Sequence, residues 1–160
     1  MKEQFVTFVQ ENEGIIFKVS KMYAHQREDR EDLYQEIVLQ LWRSFADYRA
    51  EAKISTWMYR IALNTAITHL RKETRRAKSA ELDEVALQVP AGLGGEQEER
   101  VEAMFRAIQQ LTAVEKALVM LYMDDHSYKG MAEIIGISES NIGFKLNKIK
   151  AKLKELLKNY

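Results

Sequence analysis

Apolar residues recur at three- and four-residue spacing along most of the chain, and no stretch sustains the alternation typical of a half-buried strand. In the first half this spacing predicts three helices, separated after the second by a polar loop over residues 46–54. Their apolar stripes are, in order, Phe5, Phe8, Val9, Ile15, Val19 and Met22; Leu33, Ile37, Leu41 and Phe45 with Trp42 beside them; and Trp57, Ile61, Ile67 and Leu70. Ser55 or Thr56 is a candidate cap for the third helix.

The second half predicts four further helices, each marked by its own start or stop signal. Thr112 and Glu115 form a capping-box pair, Ser127 and Ser138 are candidate N-caps, and Gly136 is a candidate C-cap. The apolar stripes are Val101, Met104, Phe105 and Ile108; Val114, Leu118 and Leu121; Met131, Ala132 and Ile135; and Ile142, Leu146, Ile149, Leu153 and Leu156.

The chain's only proline, Pro90, precedes Gly92, Gly94 and Gly95, a cluster that neither helix nor strand tolerates well. We therefore place a flexible linker at 79–98, between domains at 1–78 and 99–160. The predicted fold is all-α, with a three-helix bundle followed by a four-helix domain.

Composition excludes several classes of protein. The absence of cysteine removes disulfides and thiolate zinc sites and fits a reducing compartment. No apolar run reaches the roughly 20 residues of a membrane span, and the N-terminus leads straight into an amphipathic helix. We expect a cytoplasmic protein without membrane insertion.

The formal net charge is zero, but the charges are sorted into blocks. Residues 56–78 carry six basic residues and one acidic residue, and residues 138–160 carry six lysines and two glutamates. Residues 79–103 carry seven acidic residues and one arginine. Two basic faces joined by an acidic tether favour a nucleic-acid-binding function.

Residues 128–150 have the spacing of a helix-turn-helix, with a Gly-Ile-Ser turn before a helix whose outer face is polar and basic. Such a face can enter a major groove, where Asn and Lys pair with base edges, Phe contacts a thymine methyl, and lysines contact phosphates. The alternative is a solvated lysine-rich helix. The candidate contacts are Ser140, Asn141, Gly143, Phe144, Lys145, Asn147, Lys148 and Lys150.

The third helix forms the other basic surface, and aromatic residues surround it. Basic residues interleaved with aromatics suit single-stranded nucleic acid, because bases stack on rings while phosphates follow positive charge. We expect Tyr48 and Tyr59 to be exposed stacking candidates and Trp57 to belong to the core.

The second helix is acidic around its apolar stripe, particularly over residues 29–32. Acidic residues at a helix start are also favoured by the macrodipole alone. An acidic face repels DNA, so a partner bound there should be a protein. We find no catalytic constellation, phosphate loop, metal site or cofactor site, since the three histidines are far apart in sequence.

Two groups of residues resemble a known family. Residues 29–33 (DREDL), 35–36 (QE), 41–43 (LWR) and 55–62 (STWMYRIA) with Asn64 resemble region 2 of extracytoplasmic-function sigma factors. Residues 111–112 (LT), 127–128 (SY) and 132–138 (AEIIGIS) with the following helix resemble region 4. Gly143 departs from the basic residue, and Gly130 from the acidic residue, that the family often has there.

The resemblance implies a subunit that binds core RNA polymerase, at the clamp helices of the largest subunit and at the flap, and directs it to promoter DNA. An anti-sigma factor is a further implied partner. The residues implied to bind core polymerase are Asp32, Gln35, Glu36, Leu39, Trp42 and Arg43. Those implied to recognise the opened minus-10 element are Asp47, Tyr48, Arg49, Lys53, Tyr59, Arg60, Asn64, Thr68 and Arg71. The last helix would read the minus-35 element as duplex.

Two other classes remain as alternatives. One is a transcriptional regulator whose helical sensor domain controls the helix-turn-helix without contacting polymerase. The other is a protein-interaction module with incidental lysines.

Overall fold

A computed structural model describes residues 1–79 and 95–158 of the chain, without the side chains of residues 76–79. Throughout these residues the only regular structure is α-helix, which confirms the predicted all-α class. The described residues fall into two compact units, 1–79 and 95–158. Pro90, Gly92 and Gly94, on which the predicted linker rests, lie outside the described residues, as do the side chains of Arg76 and Lys78.

The first unit holds helices α1 (Lys2–Glu11), α2 (Glu13–Tyr23), α3 (Arg27–Phe45) and α4 (Ile54–Ser79). The prediction of a single helix before α3 was wrong, because the chain breaks at Asn12, which has φ −122° and ψ 15°. The side-chain amide of Asn12 donates a hydrogen bond from Nδ2 to the Phe8 carbonyl oxygen at 2.9 Å. An asparagine side chain that competes for backbone partners in this way favours a helix end, while the apolar spacing continues past it.

The core of the first unit lies where α2, α3 and α4 pack together. On α3 the predicted residues Leu33, Ile37 and Leu41 are fully buried. On α4 the predicted stripe was wrong, since all four of its residues are only half-buried. The buried face instead contains Met58, Tyr59, Ala62, Leu63 and Ala66. The small side chains of the two alanines allow neighbouring helices to approach closely, which fixes the packed face.

The α4 N-terminus also differs from its prediction. The helix begins at Ile54, so Ser55 and Thr56 lie inside its first turn and the capping prediction was wrong. The Trp57 amide donates to the Lys53 carbonyl oxygen at 3.0 Å, so the helical hydrogen bonding starts at the end of the preceding loop.

The second unit holds α5 (Glu96–Gln109), α6 (Ala113–Met123), α7 (Tyr128–Ile135) and α8 (Glu139–Leu156), as the four predicted helices. The predicted caps are confirmed. Ser127 Oγ accepts from the Gly130 amide at 3.0 Å, and Ser138 Oγ accepts from the Asn141 amide at 3.2 Å. Gly136 has φ 86°, the left-handed conformation that lets glycine end α7 before the turn.

Helix α5 differs from its prediction at both its start and its packed face. It begins at Glu96 and α4 extends through Ser79, so residues 79 and 96–98, which we placed in the linker, are helical. The acidic residues of its first turn favour this start through the macrodipole. Val101 and Met104 are 69% and 39% exposed, whereas Ala103, Ala107 and Ile108 are buried. The prediction for the first two residues was therefore wrong.

The Thr112–Glu115 capping box also joins α6 to α8. Glu115 Oε1 accepts from the Thr112 amide at 2.9 Å and from Lys152 Nζ at 3.2 Å, while Thr112 Oγ1 accepts from the Glu115 amide at 3.2 Å. Partial burial acts to raise the pKa of the Glu115 carboxyl, but the hydrogen bonds from Thr112 and the contact with Lys152 together lower it. The ionised carboxylate therefore stabilises the folded unit.

We expect Glu115→Gln to lower the free energy of unfolding at pH 6 by about 1 kcal/mol or less, because glutamine preserves the box but not the charge. The folded pKa lies below the unfolded one, so the carboxylate contribution is complete above the unfolded value of about 4.3 and is lost as pH falls through the folded value. Urea titrations at pH 6 and pH 3 should show the two proteins converging at acid pH. A difference that is the same at both pH values contradicts this assignment.

Candidate nucleic-acid and protein interfaces

One side of α3 is exposed and combines acidic with apolar residues. Leu39 and Trp42 are 40% and 39% exposed and lie one turn apart, so two large apolar side chains adjoin on this side of the helix. At 3.6 residues per turn the exposed set covers an arc of about 120°. We name it the α3 face; it consists of Asp32, Gln35, Glu36, Leu39, Trp42 and Arg43, all exposed.

A groove of about 530 Å³ runs between α3 and α4. Asp32 and Glu36 of the α3 face line one wall, and Asn64 and Thr68 of α4 line the other. Residues predicted for protein docking and for DNA recognition therefore adjoin along this groove. His69, to which sequence reasoning assigned no role, also lines it.

The exposed side of α4 carries the predicted polar and basic residues in one row. Arg60 is half-buried, while Asn64, Thr68 and Arg71 are exposed. These four residues share an arc of about 80° at 3.6 residues per turn. This arrangement can present hydrogen-bonding and cationic groups to one nucleic-acid strand.

The loop between α3 and α4, residues 46–53, presents Asp47, Arg49 and Lys53 to solvent. Tyr48 is half-buried: its hydroxyl donates to the Ala52 carbonyl oxygen at 3.0 Å, and its ring centroid lies 4.8 Å from that of Trp57. Ala50 has φ 56°, a left-handed conformation that strains a residue with a side chain. The loop is therefore held in one particular shape.

The prediction of two exposed tyrosine rings needs correction. Tyr59 is 2% exposed and belongs to the core, so it offers no surface for a base to stack on. Tyr48 is engaged by the contacts just described, and Trp57 is half-buried instead of enclosed in the core. The sequence suggested stacking because aromatic residues lie near basic ones along the chain, but the packing of α4 turns these rings toward the protein.

On α8, Ile142, Leu146 and Ile149 are buried, which leaves the opposite side of the helix outward. Gly143 and Lys145 are half-buried. The exposed candidates, which we name the α8 face, are Ser140, Asn141, Phe144, Asn147, Lys148 and Lys150. Phe144 is 57% exposed, and Lys148 Nζ lies 4.4 Å from its ring centroid. A large apolar ring beside a cation on this helix can make both an apolar and an ionic contact in a groove.

Tyr128 lies against α8 at Gly143, one of the two positions where this sequence departs from the family pattern. A Cβ on Gly143 would be 3.4 Å from Tyr128 Cε2, so glycine leaves the ring in contact with the helix surface. The ring is 42% exposed, and sequence reasoning gave it no role. Its place directly after the Ser127 cap, within the residues that resemble region 4, was the signal available in the sequence.

The part of the chain that the structure describes contains no group of three or more His, Cys, Asp or Glu side chains suited to a metal ion. Among the same residues, none of the helices is both long enough and apolar enough to cross a membrane.

Two family models match the chain in the order of its two units. Sigma-70 region 2 matches residues 8–76, and Sigma-70, region 4 matches residues 102–153. The chain is 25% identical over 143 residues to the ECF RNA polymerase sigma factor SigM of Mycobacterium tuberculosis, covering 89% of this chain and 71% of that protein. It is 28% identical over 120 residues to the ECF RNA polymerase sigma-E factor of Escherichia coli, covering 67% of this chain and 62% of that protein.

Two solved structures share the fold. The sigma factor RpoE of Bartonella quintana, in complex with the anti-sigma factor NepR, matches with a TM-score of 0.72 at 20% identity, covering 99% of this chain and 96% of that one. CnrH, in complex with the cytosolic domain of CnrY, matches with a TM-score of 0.69 at 15% identity, covering 99% of this chain and 90% of that one. With both regional models in order and relatives named for the same role, the chain belongs to the extracytoplasmic-function group of the sigma-70 family, whose members direct transcription initiation with RNA polymerase.

Proposed function

We propose that the two units read two physical forms of promoter DNA, opened strand at the minus-10 element and duplex at the minus-35 element. The observation that carries this proposal is the contrast between the basic faces. The α4 row adjoins a shaped polar loop, whereas the α8 face follows a helix-turn-helix turn and carries an exposed Phe–Lys pair. A shaped loop suits capture of an extruded base, and a helix after such a turn suits a major groove.

The α3 face is the proposed contact with core polymerase, at the clamp helices of its largest subunit. Exposed Leu39 and Trp42 supply apolar anchors, and Asp32 and Glu36 supply charge that favours a basic protein surface over DNA. The second unit is proposed to contact the flap. We propose 1–78 and 99–160 as the two functional domains, and the protein as a non-catalytic cytoplasmic subunit.

Within the minus-10 site we assign DNA contact to the exposed residues and to half-buried Arg60, and we remove Tyr59. Tyr48 becomes a positioning residue, because its hydroxyl and ring are engaged within the protein. The remaining proposed contacts are Asp47, Arg49, Lys53, Arg60, Asn64, Thr68 and Arg71.

An anti-sigma factor is a proposed partner. The structure of RpoE in complex with the anti-sigma factor NepR supports this proposal, and CnrH, which shares the fold, was solved in complex with the cytosolic domain of CnrY. A factor that covers the α3 face would exclude polymerase from the same surface.

Reconstituted transcription tests the proposed function. Core polymerase free of sigma is combined with the purified chain and genomic promoter fragments, and the transcripts are mapped. We expect discrete start sites that depend on the chain. If no specific transcript forms while the chain alone binds a duplex operator tightly, it acts as a separate DNA-binding regulator instead.

Lys145→Ala should weaken duplex binding by a similar factor on different DNA sequences. It should also reduce the salt slope, the slope of the logarithm of the binding constant against the logarithm of the salt concentration, by about one unit, as for one lost phosphate contact. Half-buried Lys145 lies at the edge of the α8 face, where a phosphate contact is expected. Binding of the polymerase complex to minus-35 duplex, measured from 50 to 200 mM salt, gives the slope.

The matched control is Lys158→Ala, which removes an exposed lysine beyond the C-terminus of α8. It should leave the salt slope close to that of the unaltered protein. Equal slopes for Lys145→Ala and the unaltered protein would remove Lys145 from the contact set.

A further inference from the structure

A row of six aromatic rings, most of them half-buried, runs through the first unit from the α3 face to the 46–53 loop. Successive ring centroids are 5.0, 5.2, 5.4, 5.7 and 4.8 Å apart, within the range of edge-to-face and tilted aromatic contacts. In order the members are Trp42, Phe5, Phe45, Phe8, Trp57 and Tyr48. We name this set the aromatic row.

The two ends of the row are both proposed functional elements. Trp42 belongs to the α3 face, where it is 39% exposed. Tyr48 belongs to the loop, which it closes by donating to the Ala52 carbonyl oxygen. The row therefore joins the proposed polymerase contact to the proposed minus-10 loop through packed side chains.

Helix α1 supplies the rings that join the middle of the row. Phe5 contacts both Trp42 and Phe45, and Phe8 contacts both Phe45 and Trp57. Phe5 is the only buried residue of α1, and Val6 is 45% exposed. The aromatic contacts therefore account for much of what attaches this helix to the unit.

The loop needs such support because its own backbone is strained. Ala50 has φ 56°, and strained conformations persist only where surrounding contacts fix them. Two contacts of the loop supply this support: the hydrogen bond from the Tyr48 hydroxyl and the packing of the Tyr48 ring on Trp57. Trp57 is in turn held by Phe8, its other neighbour in the row.

We infer that α1 is a positioning element of the minus-10 site, acting through Phe5 and Phe8 to hold the 46–53 loop in the shape that selects bases. The inference rests on the proposed function of the loop. The row fixes the loop relative to α3, so the loop is set before DNA arrives and loses less conformational entropy on binding. Phe5 and Phe8 themselves touch no DNA in this account.

The first experiment needs no DNA. Limited trypsin cleavage of the full chain is followed at Arg49 and Lys53 and compared with cleavage at Arg71, an exposed arginine on α4. Phe8→Leu, which keeps apolar bulk but removes the ring, should raise loop cleavage relative to Arg71 by about fivefold, the scale of losing the ring contact with Trp57 on the loop side of Phe8. Ile16→Ala is the matched control, because Ile16 is fully buried in the same unit but lies outside the row. It should leave the ratio near its original value.

The second experiment uses the polymerase complex. Its binding is measured on probes with a duplex minus-35 element and a single-stranded minus-10 non-template strand that carries each of the four bases in turn. Phe8→Leu, which loses ring contacts, and Tyr48→Phe, which loses the hydrogen bond to Ala52, should each reduce the ratio of best to worst base by about fivefold, while core binding changes less than about twofold. Ile16→Ala should preserve the ratio.

Unchanged trypsin and base-preference ratios in Phe8→Leu, or equal changes in Ile16→Ala, overturn the positioning role. A failure of the proposed function looks different: the unaltered complex then shows no base preference on the probes, even where Phe8→Leu opens the loop to trypsin. That result overturns both the minus-10 assignment and the inference that depends on it.

Discussion

Reversing one charge on the α3 face, with Glu36→Lys, should weaken binding to core polymerase by about 30-fold, which corresponds to about 2 kcal/mol. Glu36 is exposed on the α3 face, one turn from both Asp32 and Leu39. A lysine there would face the basic surface that the acidic residues are proposed to meet. Competition against a labelled sigma factor for core polymerase gives the affinity directly.

The control for this substitution is Glu11→Lys, which reverses an exposed charge at the C-terminus of α1. A cation there is favoured by the helix macrodipole, so the fold should be retained. Glu11→Lys should bind core polymerase nearly as the unaltered chain does. Full affinity in Glu36→Lys, or an equal loss in both variants, would show that α3 does not carry the contact.

Leu146→Ala should have the largest effect on stability, about 3 kcal/mol, because it removes a buried side chain that the surrounding helices cannot replace. Leu146 is 2% exposed and lies between Ile142 and Ile149 on the packed side of α8. A unit of about 60 residues has little stability to spare. We expect its thermal transition to fall by roughly 10–20 °C, with minus-35 binding lost at 37 °C.

Asn147→Ala distinguishes recognition of the minus-35 duplex from the packing of α8. Asn147 follows Leu146 directly but is exposed, so its truncation should leave the transition temperature within a few degrees and weaken minus-35 duplex binding. Circular dichroism on heating and duplex binding by the polymerase complex give the two readouts. If Leu146→Ala leaves both the transition temperature and duplex binding unchanged, the packing of α8 has been misassigned.

The second unit was largely predictable from sequence because its local signals agree with its packing. The caps at Thr112, Ser127 and Ser138 act within one turn, and Gly136 acts through its own backbone. The α8 stripe is narrow, so one face satisfies the helical period. On α5, by contrast, the packed face contains alanines, and the larger Val101 and Met104 remain outside.

The first unit shows what periodicity leaves open. Apolar residues surround much of α4, so the spacing alone allowed a stripe through Trp57 and Ile61 instead of the buried one through Met58 and Ala62. The choice between them depends on helices distant in sequence. The same dependence made Tyr59 appear available when it is part of the core.

The candidate site was also predictable from sequence only in part. The polar members of the α3 face were predictable, because polar residues at helical spacing opposite a buried stripe must face outward. Leu39 and Trp42 were expected there only from the family resemblance. The aromatic row was not, since it requires Phe5 and Phe8 of α1 to meet Phe45 and Trp57 across the fold. The role proposed for Tyr48 changed for this reason, from stacking on a base to positioning the loop.

The most direct test of the central claim compares two promoter probes that differ only in the state of the minus-10 element. One probe is duplex throughout, and the other carries the minus-35 element as duplex and the minus-10 non-template strand unpaired. We predict that the polymerase complex binds the second probe at least about tenfold more tightly, because the cost of opening the strand has already been met. Equal affinity for both probes, or tighter binding to the fully duplex one, would contradict the claim that the two units read different forms of DNA.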